Sequence, residues 1–144
     1  MAQDDVSTPS WQAWDPEGPS STLTRPAVTR LVQTFYHRVQ DHPELGPIFA
    51  AQIKGDWQPH LDKMVDFWCT MLLHEQSYTG RPLPVHMTLP SLQDVHFDQW
   101  LALFYNTTRE VFSSELAAQF DMRARRMADS FRLALAVQRG EKTF

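Results

Sequence analysis

The sequence predicts an all-α protein, and three observations carry that prediction. Apolar residues recur at three- and four-residue steps in four long segments. No segment alternates apolar and polar residues with period two for long enough to make a strand. Prolines and glycines interrupt the chain at uneven intervals, so the helices differ in length and irregular turns join them. That pattern is unlike an up-down bundle of matched helices and suits helices packed around a pocket.

The first helix starts after Thr24, whose hydroxyl can cap open backbone amides, and Pro26 suits an early helical position. Its apolar stripe is Val28, Leu31, Val32, Phe35, Tyr36 and Val39. It runs out at His42-Pro43, because proline drives the preceding residue out of helical geometry. Leu45-Gly46-Pro47-Ile48-Phe49 reads as a compact turn that presents one large aromatic. A further helix begins near Asp56, with Pro59 in its first turn, where a missing N–H does no harm. Trp57, His60, Leu61, Met64, Val65, Phe67, Trp68, Met71 and Leu72 spread widely around it, as on a helix contacted from more than one side.

Tyr78-Thr79-Gly80-Arg81-Pro82-Leu83-Pro84 then breaks regular structure, and His86 follows in a short piece closed by Leu89-Pro90. From Asp94 the helical spacing returns with Phe97, Trp100, Leu101, Phe104, Tyr105, Thr108, Val111 and Phe112. The last helix is expected from Ser114 to Gln138, with Leu116, Phe120, Met127, Phe131, Ala134 and Leu135 inward and Gly140 as its stop.

At 144 residues the chain fits one domain. Residues 1–24 read as a flexible tail and residues 25–144 as the domain. The tail holds Pro9, Pro16 and Pro19 among Ser, Thr, Asp and Gly, too little apolar surface to offset its ordering entropy. Trp11 and Trp14 are the exceptions, able to dock on the body or on a partner. A net charge of −4 speaks against a general phosphate-binding surface, and Arg123, Arg125 and Arg126 read as a solvated patch, so no nucleic acid is expected as partner. The single cysteine, Cys69, excludes an internal disulfide and fits a reducing compartment. The N-terminus has no basic and apolar pair of regions that would make a secretory signal, and no stretch of about 18 apolar residues offers a membrane span. A soluble, cytoplasmic protein is the expectation.

Six histidines are the main source of metal-ligand chemistry. His37, His42 and His74 read as surface residues, and His96 as a local structural residue at the start of a helix. No His pair brackets a Glu with zinc-protease spacing, one cysteine cannot build a structural zinc site, and no Gly-x-Ser-x-Gly elbow is present. His60 and His86 have more informative company. His60 shares a helix with Met64, Phe67, Trp68 and Met71, and His86 sits in the apolar run Pro84-Val85-His86-Met87-Thr88-Leu89-Pro90. On spacing alone, each reads equally as a satisfied core or rim histidine. A neutral imidazole facing an aromatic and thioether wall, with polar donors opposite, is also what a haem site requires.

In order along the chain, Phe35-Tyr36, Leu45-Gly46-Pro47-Ile48-Phe49, Trp57-x-x-His60, Phe67-Trp68, Tyr78-x-Gly80-x-Pro82, His86 and Trp100-Leu101-x-x-Phe104 resemble a group III truncated haemoglobin. The likeness extends over residues 27–138. It implies a truncated globin fold, a two-on-two helical sandwich around haem b. It implies that His86 coordinates the iron, that Tyr36 and Trp100 donate hydrogen bonds to a bound ligand, and that His60 is the distal gate. Phe35, Phe49, Met64, Phe67 and Trp68 would pack the haem or its distal cavity, and Arg81 would pair with a propionate. The Gly-Gly motifs of other truncated groups are missing, in keeping with group III.

The implied ligands are O2 and NO, with a reductase as partner. Two donors in a dry pocket hold O2 tightly, at about 1–3 kcal/mol per bond. Slow release of that kind suits ligand chemistry, detoxification or sensing better than bulk oxygen transport. An NO dioxygenase or peroxidase-like enzyme on the same scaffold is the alternative, and a cofactor-free helical interaction module is the alternative of another class.

Overall fold

A computed structural model describes residues 19–73 and 93–140. His74, Tyr78, Arg81, His86, Trp11 and Trp14 lie outside the described residues. Five helices and no strand are found among those described: α1 Arg25–Asp41, α2 Leu45–Gln52, α3 Gln58–Leu73, α4 Asp94–Val111 and α5 Ser114–Gln138. They form two pairs, α1 with α3 and α4 with α5, which meet along α1 and α4, while α2 lies against α1 and touches α4. None is long and apolar enough to cross a membrane.

Helix α1 starts as the sequence predicts. Thr24 Oγ1 accepts from the amide of Ala27 at 3.3 Å, and Pro26 falls in the first turn. The expected turn at Leu45-Gly46-Pro47-Ile48-Phe49 is instead the helix α2. Pro47 sits in the first turn of α2, where its missing N–H costs no intrahelical bond. The cap comes from a residue outside the helix: His42 Nδ1 accepts from the amides of Glu44 and Leu45, both at 3.1 Å. Gly46 is needed there, since a Cβ would stand 2.5 Å from the carbonyl oxygen of Gln40.

Helix α3 begins two residues later than Asp56, whose Oδ1 accepts from the amide of Gln58 at 3.0 Å. Leu61, Met64, Val65, Phe67, Trp68 and Cys69 are buried on it, and Met71 is not: it is 37% exposed. Tyr105 also departs from the inward pattern read for α4. It is half-exposed, with the guanidinium of Arg109 3.6 Å above its ring, a stacking that lets an aromatic lie at the surface.

On α5 the buried positions are Ala117, Phe120, Ala124, Ala128, Phe131 and Leu135, while Leu116, Met127 and Ala134 are half-buried. Alanines let α4 approach α5 closely, which apolar periodicity alone did not single out. Helix α5 ends at Gly140, φ +74°, a left-handed conformation that glycine adopts without cost. Ser20, within the segment read as a tail, is joined to the α4–α5 link: its amide donates to Val111 O at 2.8 Å, and its carbonyl accepts from Ser113 N at 2.7 Å.

Candidate functional site: an aromatic pocket between the helix pairs

Phe35 and Tyr36 are neighbours on α1, both buried. The Phe35 ring is the hub of a cluster. It stands edge-on to Tyr36 at 5.0 Å, to Trp100 of α4 at 5.3 Å and to Phe104 at 5.0 Å. Tyr36 in turn meets His60 of α3 edge-on at 5.1 Å. Three helices thus join His60, Tyr36, Phe35 and Trp100 in one chain of ring contacts, although they are far apart in the sequence. The Trp100 indole stacks on Phe104 at 5.4 Å, and Trp68 stacks on the same ring, also at 5.4 Å. Trp68 further contacts Phe120 of α5 at 5.3 Å. Its described contacts are therefore with the common core. Phe67 packs on Trp68 at 5.2 Å, and Met64 is buried one turn earlier on α3.

A small apolar pocket opens beside this cluster. Phe49 of α2 and Trp100 line it, as do Leu45, His96, Phe97, Ala128 and Phe131. No lining residue is a carboxylate, lysine or arginine. Sequence reasoning singled out Phe49 and Trp100 and missed the others. His96 had a usable signal, because it lies one helical turn before Trp100 and so shares its face. Ala128 and Phe131 had none, since their spacing is that of any core residue.

The polar groups of the site are few and deeply placed. Burial pushes the Tyr36 phenol well above the ordinary tyrosine range, so it stays a neutral hydroxyl that can donate. The Nε1 of Trp100 is buried and has no hydrogen-bond partner among the described residues. An indole N–H can only donate, and leaving it unmade in an apolar setting costs about 1–3 kcal/mol. Native proteins keep such groups where something else completes them. His96 differs: its Nδ1 accepts from Gln93 N at 2.9 Å, and its Nε2 lies 3.5 Å from Glu44 Oε1.

Two helix pairs crossing over an aromatic pocket, with a short helix at one edge, are the architecture of a small globin. The chain matches the bacterial-like globin family over residues 24–134. It is 34% identical over 113 residues to the group 3 truncated hemoglobin ctb of Campylobacter jejuni, covering 76% of this chain and 89% of that protein. The crystal structure of a group III truncated hemoglobin from Campylobacter jejuni superposes with a TM-score of 0.77 at 33% identity, covering 81% of this chain and 94% of that one. The chain belongs to the bacterial-like globins, and within them it is a group III truncated haemoglobin of the all-α, two-on-two fold.

Membership carries haem binding with it, and with haem the binding of small gaseous ligands such as O2. The described residues fit that group on their own terms. The residues lining the pocket are apolar or uncharged, the chemistry that the surroundings of a conjugated macrocycle call for. One buried N–H of its wall has no hydrogen-bond partner among the described residues.

Proposed function

We propose that this chain holds haem b with His86 as the proximal ligand, and binds O2 or NO on the side bounded by Tyr36, His60 and Trp100. When bound, the haem iron supplies the position at which a diatomic ligand is held; the chain supplies its surroundings. Trp100 offers an N–H that can act only as a donor. Tyr36 offers a hydroxyl kept neutral by burial, which can donate or accept. His60, edge-on to Tyr36, is the gate between this side and solvent. Phe35, Phe49, Met64, Phe67 and Trp68 pack the macrocycle or the cavity beside it and exclude water. Arg81 pairs with a propionate. The observation that carries the reading is the buried, unpartnered Nε1 of Trp100 in the wall of an uncharged pocket.

Two donors of about 1–3 kcal/mol each slow ligand release by orders of magnitude, since 1.4 kcal/mol is a factor of ten. That property suits ligand chemistry, detoxification or sensing rather than bulk delivery, and a cytoplasmic reductase would keep the iron ferrous. The test is an absorption spectrum of the purified protein. A Soret band is expected, lost in His86→Ala and restored by added imidazole. A colourless protein that takes up no hemin ends the haem reading. Nitrate formation from NO, compared with that of free haem, decides whether the site also turns its ligand over.

A further inference from the structure

Helices α2 and α4 are linked through one imidazole at the rim of the pocket. The geometry points to His96 as a positioning residue that sets α2, and with it Phe49, against Trp100 of α4. A backbone N–H can only donate, so His96 Nδ1, 2.9 Å from Gln93 N, is an acceptor. The ring is therefore neutral and carries its proton on Nε2. Nε2 itself lies 3.5 Å from Glu44 Oε1, a long contact.

Glu44 is the residue before α2, and it is held at two points. Its amide donates to His42 Nδ1 at the end of α1, and its carboxylate meets His96 at the start of α4. Buried at 8% exposure, His96 reaches out to a half-exposed carboxylate. Leu45 and Phe49 follow from Glu44 on α2; Trp100 follows from His96 one turn along α4. Phe49, His96 and Trp100 all line the same pocket. A shift at the Glu44–His96 contact is therefore a shift of one pocket wall against another.

Capping alone does not require histidine here. His96 is the third residue of α4 and accepts from the N-cap amide of Gln93, a task usually filled by Glu or Gln in a capping box. What an imidazole adds is a second nitrogen on the far side of a rigid ring, of opposite hydrogen-bonding sense. One ring then serves the α4 cap and Glu44 together.

Two substitutions separate these tasks. His96→Asn keeps a cap acceptor and is too short to reach Glu44; Glu44→Ala removes the carboxylate and leaves the cap. The first readout needs no haem. In 15N-resolved spectra of the protein as purified, His96 Nδ1 is expected to be unprotonated and Nε2 protonated. The Trp100 indole N–H cross-peak, identified by its loss in Trp100→Phe, is expected to move in both variants. The reverse tautomer, or an indole peak stationary in both, overturns the inference.

The second readout rests on the haem reading above and uses carbon monoxide as probe. Both variants should shift the C–O stretching frequency in the direction that Trp100→Phe shifts it. They should change the dissociation rate by about threefold, the scale of one weak polar contact to a half-exposed carboxylate. The thermal midpoint of His96→Asn should stay within a few degrees of the parent. Stretch and rate unchanged in both variants, while Trp100→Phe alters them, overturn the positioning role. A chain that takes up no haem ends the haem reading instead, and the indole peak still decides the role of His96.

Discussion

In the second half of α4, Thr107 and Thr108 are wholly buried and both hydroxyls are bonded. Thr107 Oγ1 donates to Leu103 O at 2.8 Å, and Arg38 donates to it at 3.2 Å. Thr108 Oγ1 donates to Tyr105 O and lies 3.0 Å from Asp121 Oδ1, whose other oxygen pairs with Arg109. In the first half, Trp100 buries an N–H with no partner among the described residues. Two turns of one helix thus handle buried polarity in opposite ways. The second half is closed and satisfied, as a structural core must be. The first half, beside the pocket, keeps a donor with no partner among the described residues, the donor that the proposed ligand would complete.

The largest effect expected from breaking this contrast comes from Gly46→Ala. Its Cβ would meet the Gln40 carbonyl at 2.5 Å and that of Val39 at 3.2 Å, so α2 must move off α1 and take Phe49 with it. A loss at the upper end of about 1–3 kcal/mol is expected in denaturant melts, together with weaker hemin uptake. A parent-like midpoint would mean that α2 is not pressed against α1.

Next in size is the double variant Tyr36→Phe, Trp100→Phe. On the hydrogen-bond estimate above, O2 dissociation should speed up by about one to two orders of magnitude. Stopped-flow displacement measures it, and an unchanged rate would show that neither donor reaches the ligand.

The contrast itself is sharpened by pairing Trp100→Phe with Thr108→Val. Removing the Thr108 hydroxyl should cost about 1 kcal/mol of stability and leave ligand release alone. Removing the indole N–H should do the reverse. If both variants moved the same observable, the two halves of α4 would not be functionally distinct.

The smallest effect is in alkali. The folded protein holds the Tyr36 phenol protonated above the pH at which a free phenol ionises, near 10. Above that value the unfolded chain binds fewer protons than the folded one, so stability falls as pH rises. That slope sets in only above about pH 10, where a free phenol ionises, and its Tyr36 component should vanish in Tyr36→Phe, as pH-resolved denaturant titrations would report.

Local chemistry made much of the molecule legible in advance. The cap at Thr24, the tolerated Pro59, the full length of α5 and the stop at Gly140 depend on neighbours a few residues away, and short-range rules suffice for them. The apolar stripes of α1 and α4 likewise named most of the core. The turn expected at residues 45–49 went unrecognised as α2 because its cap is a histidine ring just upstream, not one of the usual capping side chains. Met71 and Tyr105 continued their helical patterns yet face solvent, since periodicity cannot say where a helix runs past its partner.

The sequence by itself determined the four long helices, the aromatic wealth and, through the order of its motifs, the family. Only the tertiary structure decided which polar tips are spent inside the protein and which are left open. Thr108 and Trp100 look equally at home on the inward stripe of α4, and apolar periodicity does not separate them. The difference lies across space, where Asp121 of α5 answers one and an apolar pocket faces the other.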